Sequence, residues 1–329
     1  MVLKGRNAGT PGSGDSKLET RNSKQRIGVG DRPANAFVFL IPGQMSESEG
    51  MGRILLEKHP SARDLLRITE DIWKLDLETI ILRGTEEEVH KDGISQPLIT
   101  WYAFALHQAL AARGMEARAV AGYSVGVFAG LAIAGSVTYE QAQKILKANF
   151  DRVAATDHKG AMLAVGGLPL KAGLEIIRPT GAAVGVVNSD ISWTLTGTPE
   201  EITAAEHVLA GKAFQMYRLP VDWAIHSPLL EFVTQSVMEE KSLWTGMKKP
   251  ALPFYSPFTG RLVATSATAK TILAGVISRC MRWDRLADAV VQTGLPLVEA
   301  SESGFLQKLL KFHPARPKAV PGIQLLTRQ

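Results

Sequence analysis

Residues 37–41 read Phe-Val-Phe-Leu-Ile, an unbroken apolar run that Pro42-Gly43 stops at once. A run this short, with a turn signal at its end, predicts a buried strand. A second short apolar run at 119–122 leads into Gly-Tyr-Ser-Val-Gly at 122–126. Between the two, residues 61–113 carry a helical pattern, with a stripe through Leu98, Tyr102, Ala105 and Ala109; helical patterns follow again at 127–133 and 139–153. Strand, helix, strand, sharp turn, helix is the order of an α/β sheet, which gathers functional groups at the carboxyl ends of parallel strands.

Residues 160–224 change rhythm. Strand-like stretches at 160–167, 182–188, 192–197 and 214–221 are interleaved with helical ones at 169–177 and 199–212. The order βαββαβ is the ferredoxin-like split motif, inserted as a unit. Helical character resumes at 228–241, and residues 254–263 predict a hairpin about Thr259-Gly260. The fold expected is therefore α/β: a large hydrolase-like α/β subdomain in two segments, 36–159 and 225–313, with a ferredoxin-like subdomain at 160–224. Residues 1–35 are expected to be a flexible basic tail and 314–329 a C-terminal tail.

The chain has 329 residues, 45% of them hydrophobic, enough for one large core or two unequal ones. Its formal charge of +5 comes mostly from the first 36 residues, where Lys4, Arg6, Lys17, Arg21, Lys24, Arg26 and Arg32 face Asp15, Glu19 and Asp31. Seven cations against three anions leave the remainder nearly neutral, which argues against nucleic-acid binding. Cys280 is the one cysteine, so an intrachain disulfide and cysteine-based zinc sites are excluded. No run reaches the length of a membrane span and the N-terminal region has no apolar core of a secretion signal, so a cytoplasmic protein with no metal or tightly held cofactor is expected.

In Gly122-Tyr123-Ser124-Val125-Gly126 the glycines allow a tight strand-to-helix turn that would expose Ser124 and aim a helix N-terminus at its oxygen. The backbone N–H of Val125 would then face charge developing on an acyl oxygen. A glycine-rich turn that merely needs a small residue is the alternative. A serine hydroxyl also needs a base. Of the seven histidines, His59, His90, His107, His158, His207 and His313 lie in polar or helical-surface contexts, whereas His226 sits in an apolar loop just after the inserted unit. That is a domain junction, where pockets form; a buried histidine bonded to backbone is the competing reading.

Several motifs taken together carry a resemblance: Pro-Gly-Gln at 42–44 with Gly-Met-Gly at 50–52, Gln96-Pro97, Gly-Tyr-Ser-Val-Gly at 122–126, Gly-Ala-Met at 160–162, His-Ser-Pro-Leu-Leu at 226–230 and Thr-Gly-Arg-Leu-Val at 259–263. In this order the chain resembles, over residues 36–312, the malonyl-CoA:acyl-carrier-protein transacylases and the acyltransferase domains of polyketide synthases. The resemblance implies a Ser124–His226 dyad and ping-pong acyl transfer from a CoA or carrier thioester to the phosphopantetheine thiol of an acyl-carrier protein. It further implies an oxyanion hole at Gln44 and Val125, with Gln96 lining the cleft and Asn188 near the substrate. The histidine would be oriented by backbone carbonyls near Arg279, which leaves Asp222 without a triad role.

The chain also departs from that family's pattern. Malonyl-specific members carry a carboxylate-binding arginine about 25 residues after the nucleophile, where this chain has Asn149. Lys147 lies on the far side of the helix, while Arg152 lies about 60° around it from Asn149 and could serve as a substitute cation. Tyr123 replaces a histidine, Val127 a glutamate, and Trp223 and Ile225 make the selectivity wall apolar. The expectation is thus a serine acyltransferase not restricted to malonyl groups, with a hydrolase of acyl-carrier thioesters, a malonyl transacylase using Arg152 or Arg279, and a non-catalytic carrier-binding module as alternatives. Arg279, Arg282 and Arg285 are candidates for a basic rim that meets an acidic carrier protein.

Overall fold

A computed structural model describes residues 35–327, so the expected basic tail, apart from Asn35, lies outside the described residues. Among the described residues, ten strands form two sheets. The five-stranded sheet has β1 (Ala36–Ile41) at its centre, flanked by β2 (Glu116–Gly122) and β9 (Leu297–Glu299), with β7 (Phe254–Tyr255) and β10 (Ala319–Pro321) at the edges. All four of its pairings are parallel. Every residue of β1 is buried, as an unbroken apolar run requires of a central strand with both faces covered.

Helices cover that sheet and build one core. The helix Asp92–Ala112 presents Leu98, Trp101, Tyr102, Leu106 and Leu110 to it, and the helix Tyr139–Ala154 adds Ile145 and Leu146. The eight-residue helix Gly126–Ile133 is apolar throughout and buried from Gly126 to Ala132, which fits its place immediately behind β2.

The second sheet is built from β3 (Ala161–Gly166), β4 (Ala183–Ser189), β5 (Ser192–Gly197) and β6 (Gln215–Arg218), in the order β6-β3-β5-β4, with helices Leu170–Ile177 and Pro199–Leu209 packed on it. The antiparallel pairings and this order are those of the ferredoxin-like motif. One strand comes from outside the insertion: β8 (Met281–Arg282) runs parallel to β4 through Val186 and Val187. The small sheet is thereby stitched to the segment that follows His226.

One expectation is corrected. Residues 314–329 are not a tail throughout, because β10 extends the large sheet and the helix Gly322–Thr327 buries Ile323 and Leu326 against it. Residues 254–263 turn back about Gly260 as the hairpin expected: the Ser256 N–H donates to the Arg261 carbonyl at 2.8 Å and the Val263 N–H to the Phe254 carbonyl at 2.9 Å, on either side of the antiparallel Tyr255–Leu262 bridge, while β7 also pairs with β2. Residues 61–113 divide into several helices, the last carrying Pro97 in its interior.

Candidate active site

Ser124 follows the carboxyl end of β2 and Gln44 follows that of β1. The elbow between β2 and its helix is tight enough that side chains at its glycines would collide with backbone. A Cβ on Gly122 would stand 2.6 Å from the Gly126 carbonyl, and one on Gly126 would stand 2.4 Å from the Ile41 oxygen. A Cβ on Gly43 would meet the Ser124 Cβ at 2.9 Å, so the loop after β1 packs directly on the serine. Neither Gly122 nor Gly126 needs a left-handed backbone; Ser124 itself takes it, with φ at 52°. A non-glycine residue at such a φ stores strain, a feature concentrated at functional positions.

His226 is the second residue held this way, at φ 63°. Its Nε2 lies 3.0 Å from the Ser124 Oγ. Its Nδ1 donates to the Val276 carbonyl at 2.6 Å, and its backbone N–H donates to the Ile277 carbonyl at 2.6 Å. With the Nδ1 proton committed to Val276, the lone pair of Nε2 faces the serine hydroxyl, the tautomer a general base needs. The residue is 4% exposed, and burial pushes the imidazole pKa down to about 4 against backbone contacts at Val276 and Arg279 that favour the charged form. No carboxylate takes part, so Asp222 plays no triad role here.

The Val125 and Gln44 backbone N–H groups meet no acceptor among the described residues. They lie at the two strand ends that Gly43 and Gly126 bring together, while the Ser124 N–H is occupied by the Met281 sulfur at 3.1 Å. The Gln44 side chain is held in turn: its Nε2 donates to Asp92 Oδ1 at 2.6 Å and to Ser95 Oγ at 3.1 Å. Burial raises the Asp92 pKa, the Gln44 bond opposes that, and the Asp222 charge adds to it. Sequence reasoning misses Asp92 and Ser95. Gln44 lies 48 residues from Asp92, and no local motif marks that pairing.

A cleft of about 560 Å³, its open mouth included, reaches from Ser124 and His226 past Gln44, Val125 and Gln96 to Asn149. Trp223 and Ile225 line it as expected, together with Phe128, Leu146, Phe150, Val153 and Val276, which sequence reasoning does not single out. Among the described residues its wall contains no lysine or arginine. Arg152 is not brought there. Its guanidinium pairs with Glu240 at 2.6 Å and bonds Ser236 Oγ and the Ala148 carbonyl, all on or beside its own helix and the helix Glu231–Glu239.

Arg279 is also outside the cleft, over the Phe258 ring in neighbouring grooves, so only its backbone bears on His226. Tyr123 donates to Asn188 Oδ1 at 3.1 Å and packs edge-on against Trp283 and Phe305, so these two residues brace the elbow and are not part of the cleft wall. Arg282 is paired with Asp284, which removes it as a free rim cation. His107, expected on a surface, packs on Phe39, and burial pushes its pKa down to about 4.

The sequence model of the family described as acyl transferase domain matches residues 38–304. The chain belongs to that family. Erythronolide synthase EryA2 of Saccharopolyspora erythraea is 28% identical to this acyl transferase domain over 304 residues, 89% of this chain and 8% of that one. The chain spans less than a tenth of the first polyketide synthase relatives it matches. The malonyl-CoA:acyl carrier protein transacylase of Xanthomonas oryzae has the same fold at TM-score 0.79 and 23% identity, over 88% of this chain and 94% of that one. A malonyl-transacylase solved in complex with its type II polyketide synthase acyl-carrier protein matches at TM-score 0.79 and 20% identity, over 86% and 94%. No helix among the described residues is long and apolar enough to cross a membrane.

Proposed function

We propose that this acyl transferase domain moves an acyl group from a CoA or carrier thioester onto Ser124 and then to the phosphopantetheine thiol of an acyl-carrier protein. The observation that carries the reading is the 3.0 Å contact between Ser124 Oγ and a His226 whose other nitrogen is tied to the Val276 carbonyl. Nε2 takes the hydroxyl proton as Oγ attacks the thioester carbonyl. The tetrahedral oxyanion accepts hydrogen bonds from the Val125 and Gln44 amides. Collapse breaks the C–S bond, and the proton on Nε2 passes to the departing thiolate. In the second half the carrier thiol gives its proton to Nε2 and attacks the ester, and Ser124 recovers its proton as it leaves. The chemistry calls for no metal or cofactor.

The acyl group favoured is one without a free carboxylate. Asn149 stands where the resembled family's malonyl members have arginine, Arg152 is bound to Glu240, and Asp92, the one acidic side chain among the described residues lining the cleft, opposes a second anion. Intact-protein mass spectrometry after incubation with competing acyl-CoAs tests this. A non-carboxylated adduct on Ser124, discharged by holo acyl-carrier protein, is the expected result. A dominant malonyl adduct overturns the selectivity, and discharge to free acid at the same rate with and without the carrier makes the protein a hydrolase.

A further inference from the structure

Asn149 is 2% exposed and sits on the helix Tyr139–Ala154. Its Nδ2 donates to the Ile145 carbonyl at 2.9 Å and to the Leu273 carbonyl at 3.3 Å. Two carbonyl acceptors fix the amide orientation, since reversing it would set the side-chain oxygen against both. Both N–H hydrogens are thus used, and Oδ1 is left buried with no donor among the described residues. The cleft it lines also holds Phe128, Leu146, Phe150, Val153 and Val276, which carry no side-chain donor, and Gln44 and Gln96, neither of which bonds it. Elsewhere on the same wall the Trp223 Nε1–H is also buried without an acceptor.

Native proteins rarely strand a buried polar atom, because losing its water partners costs free energy that nothing repays. Asn149 lines the cleft, so an acyl chain that displaces the side chains covering Oδ1 can bring it the donor that the described residues do not supply. A malonyl carboxylate has no proton to offer and would place negative charge against Oδ1. A plain alkyl chain offers Oδ1 no donor. A neutral hydroxyl donates to Oδ1, and the substrate's oxygen atoms give Trp223 something to donate to.

We propose that Asn149 Oδ1 is a specificity-determining acceptor and that the cleft takes short acyl chains bearing a neutral hydrogen-bond donor, a hydroxyacyl group above all. The inference rests on the Ser124 acyltransferase reading and names the substrate class of that same site.

The test is the single-turnover rate of CoA release, one thiol per Ser124 acylated, from butyryl-, 3-hydroxybutyryl-, 4-hydroxybutyryl-, 3-oxobutyryl- and malonyl-CoA. One of the hydroxybutyryl thioesters is expected to exceed butyryl-CoA and 3-oxobutyryl-CoA by about tenfold or more in kcat/KM, and Asn149→Leu to bring that ratio to within about twofold. The oxo compound keeps the size and an oxygen but loses the donor, so the comparison on the unaltered protein decides the matter even if Asn149→Leu does not fold. Equal rates for hydroxy, oxo and alkyl chains, a preference for malonyl, or a hydroxyl preference that survives in a folded Asn149→Leu each overturn the inference while leaving Ser124 chemistry intact. Failure of every thioester to acylate Ser124 overturns the acyltransferase reading itself, and the inference with it.

Discussion

Ser124 and His226 are 102 residues apart in sequence, meet at 3.0 Å, and share a left-handed backbone that neither residue type favours. In each case neighbouring contacts impose the conformation. The serine is clamped between the two glycines of its elbow and the loop at Gly43, and the histidine between the Val276 and Ile277 carbonyls. Ser124 Oγ and His226 Nε2 are therefore positioned by backbone packing, which in the acyl transfer proposed would leave the side chains little to reorganise.

Strain at Ser124 predicts an unusual order of variant stabilities. Ser124→Ala and Ser124→Gly should both lose acylation by roughly 10³-fold or more, since each removes the nucleophile proposed. Glycine tolerates φ near 52° and alanine does not, so Ser124→Gly should be the more stable of the two by about 1 kcal/mol even after its larger unfolded-state entropy is counted. Urea unfolding at neutral pH measures the difference. Alanine equal to or above glycine would mean that the backbone at Ser124 is not strained.

The buried imidazole sets the acid side of the pH profile. With its pKa pushed down to about 4, His226 stays neutral and basic across the usual working range, so the acylation rate should hold from about pH 8 to about pH 5 and fall tenfold per unit below about 4. The stability effect has a definite sign. Below the ordinary value of 6.5 the unfolded chain binds a proton that the folded one does not, so stability is lost as pH falls from there towards 4, by on the order of 3 kcal/mol in all. His107 acts in the same direction, so the His226→Gln difference in unfolding midpoint between pH 7 and pH 4.5 isolates the part due to His226. An acid limb near 6.5 instead would mean a solvated base.

Much of this site is legible in the sequence because its signals are local. The run at 37–41, the elbow at 122–126 and the βαββαβ rhythm of 160–224 each form the element expected. The rest depends on nonlocal contacts. A three-residue strand at 319–321 has too few residues to show a period, and it exists only because β9 offers an open edge. The two residues of β8 join a sheet whose other strands end at Arg218. Helical geometry alone brings Arg152 within range of the cleft, but Glu240, 88 residues away, holds it elsewhere. Asp92 gains its meaning only from Gln44.

The elbow glycines should separate crowding from backbone freedom. In Gly126→Ala the new methyl falls 2.4 Å from the Ile41 oxygen and 2.7 Å from the Pro42 oxygen, so the loop carrying Gln44 must shift. Stability should drop by about 1–3 kcal/mol and acylation with it, because the Gln44 amide moves relative to Ser124. Gly114→Ala is the contrast: φ is 74° but no atom lies within 4 Å of the new methyl. It should cost about 1 kcal/mol and leave the acylation rate unchanged. Parallel unfolding and rate measurements on the two proteins check this, and equal rate losses would refute crowding as the cause.

Arg152 offers the sharpest check on acyl selectivity. To reach a substrate carboxylate its guanidinium would have to leave Glu240, Ser236 and the Ala148 carbonyl, and no other cation among the described residues lines the cleft to help. The Glu240 pair is partly exposed, so Arg152→Ala should cost no more than about 1 kcal/mol of stability. The ratio of malonyl to butyryl acylation should stay the same, because the residue that lines the cleft at this level is Asn149, one helical turn earlier. Competition between the two CoA thioesters, read as adducts on Ser124 by mass spectrometry, gives that ratio directly. A malonyl share that falls several-fold in Arg152→Ala would mean that the ion pair opens on binding and that Arg152 is the carboxylate's partner after all.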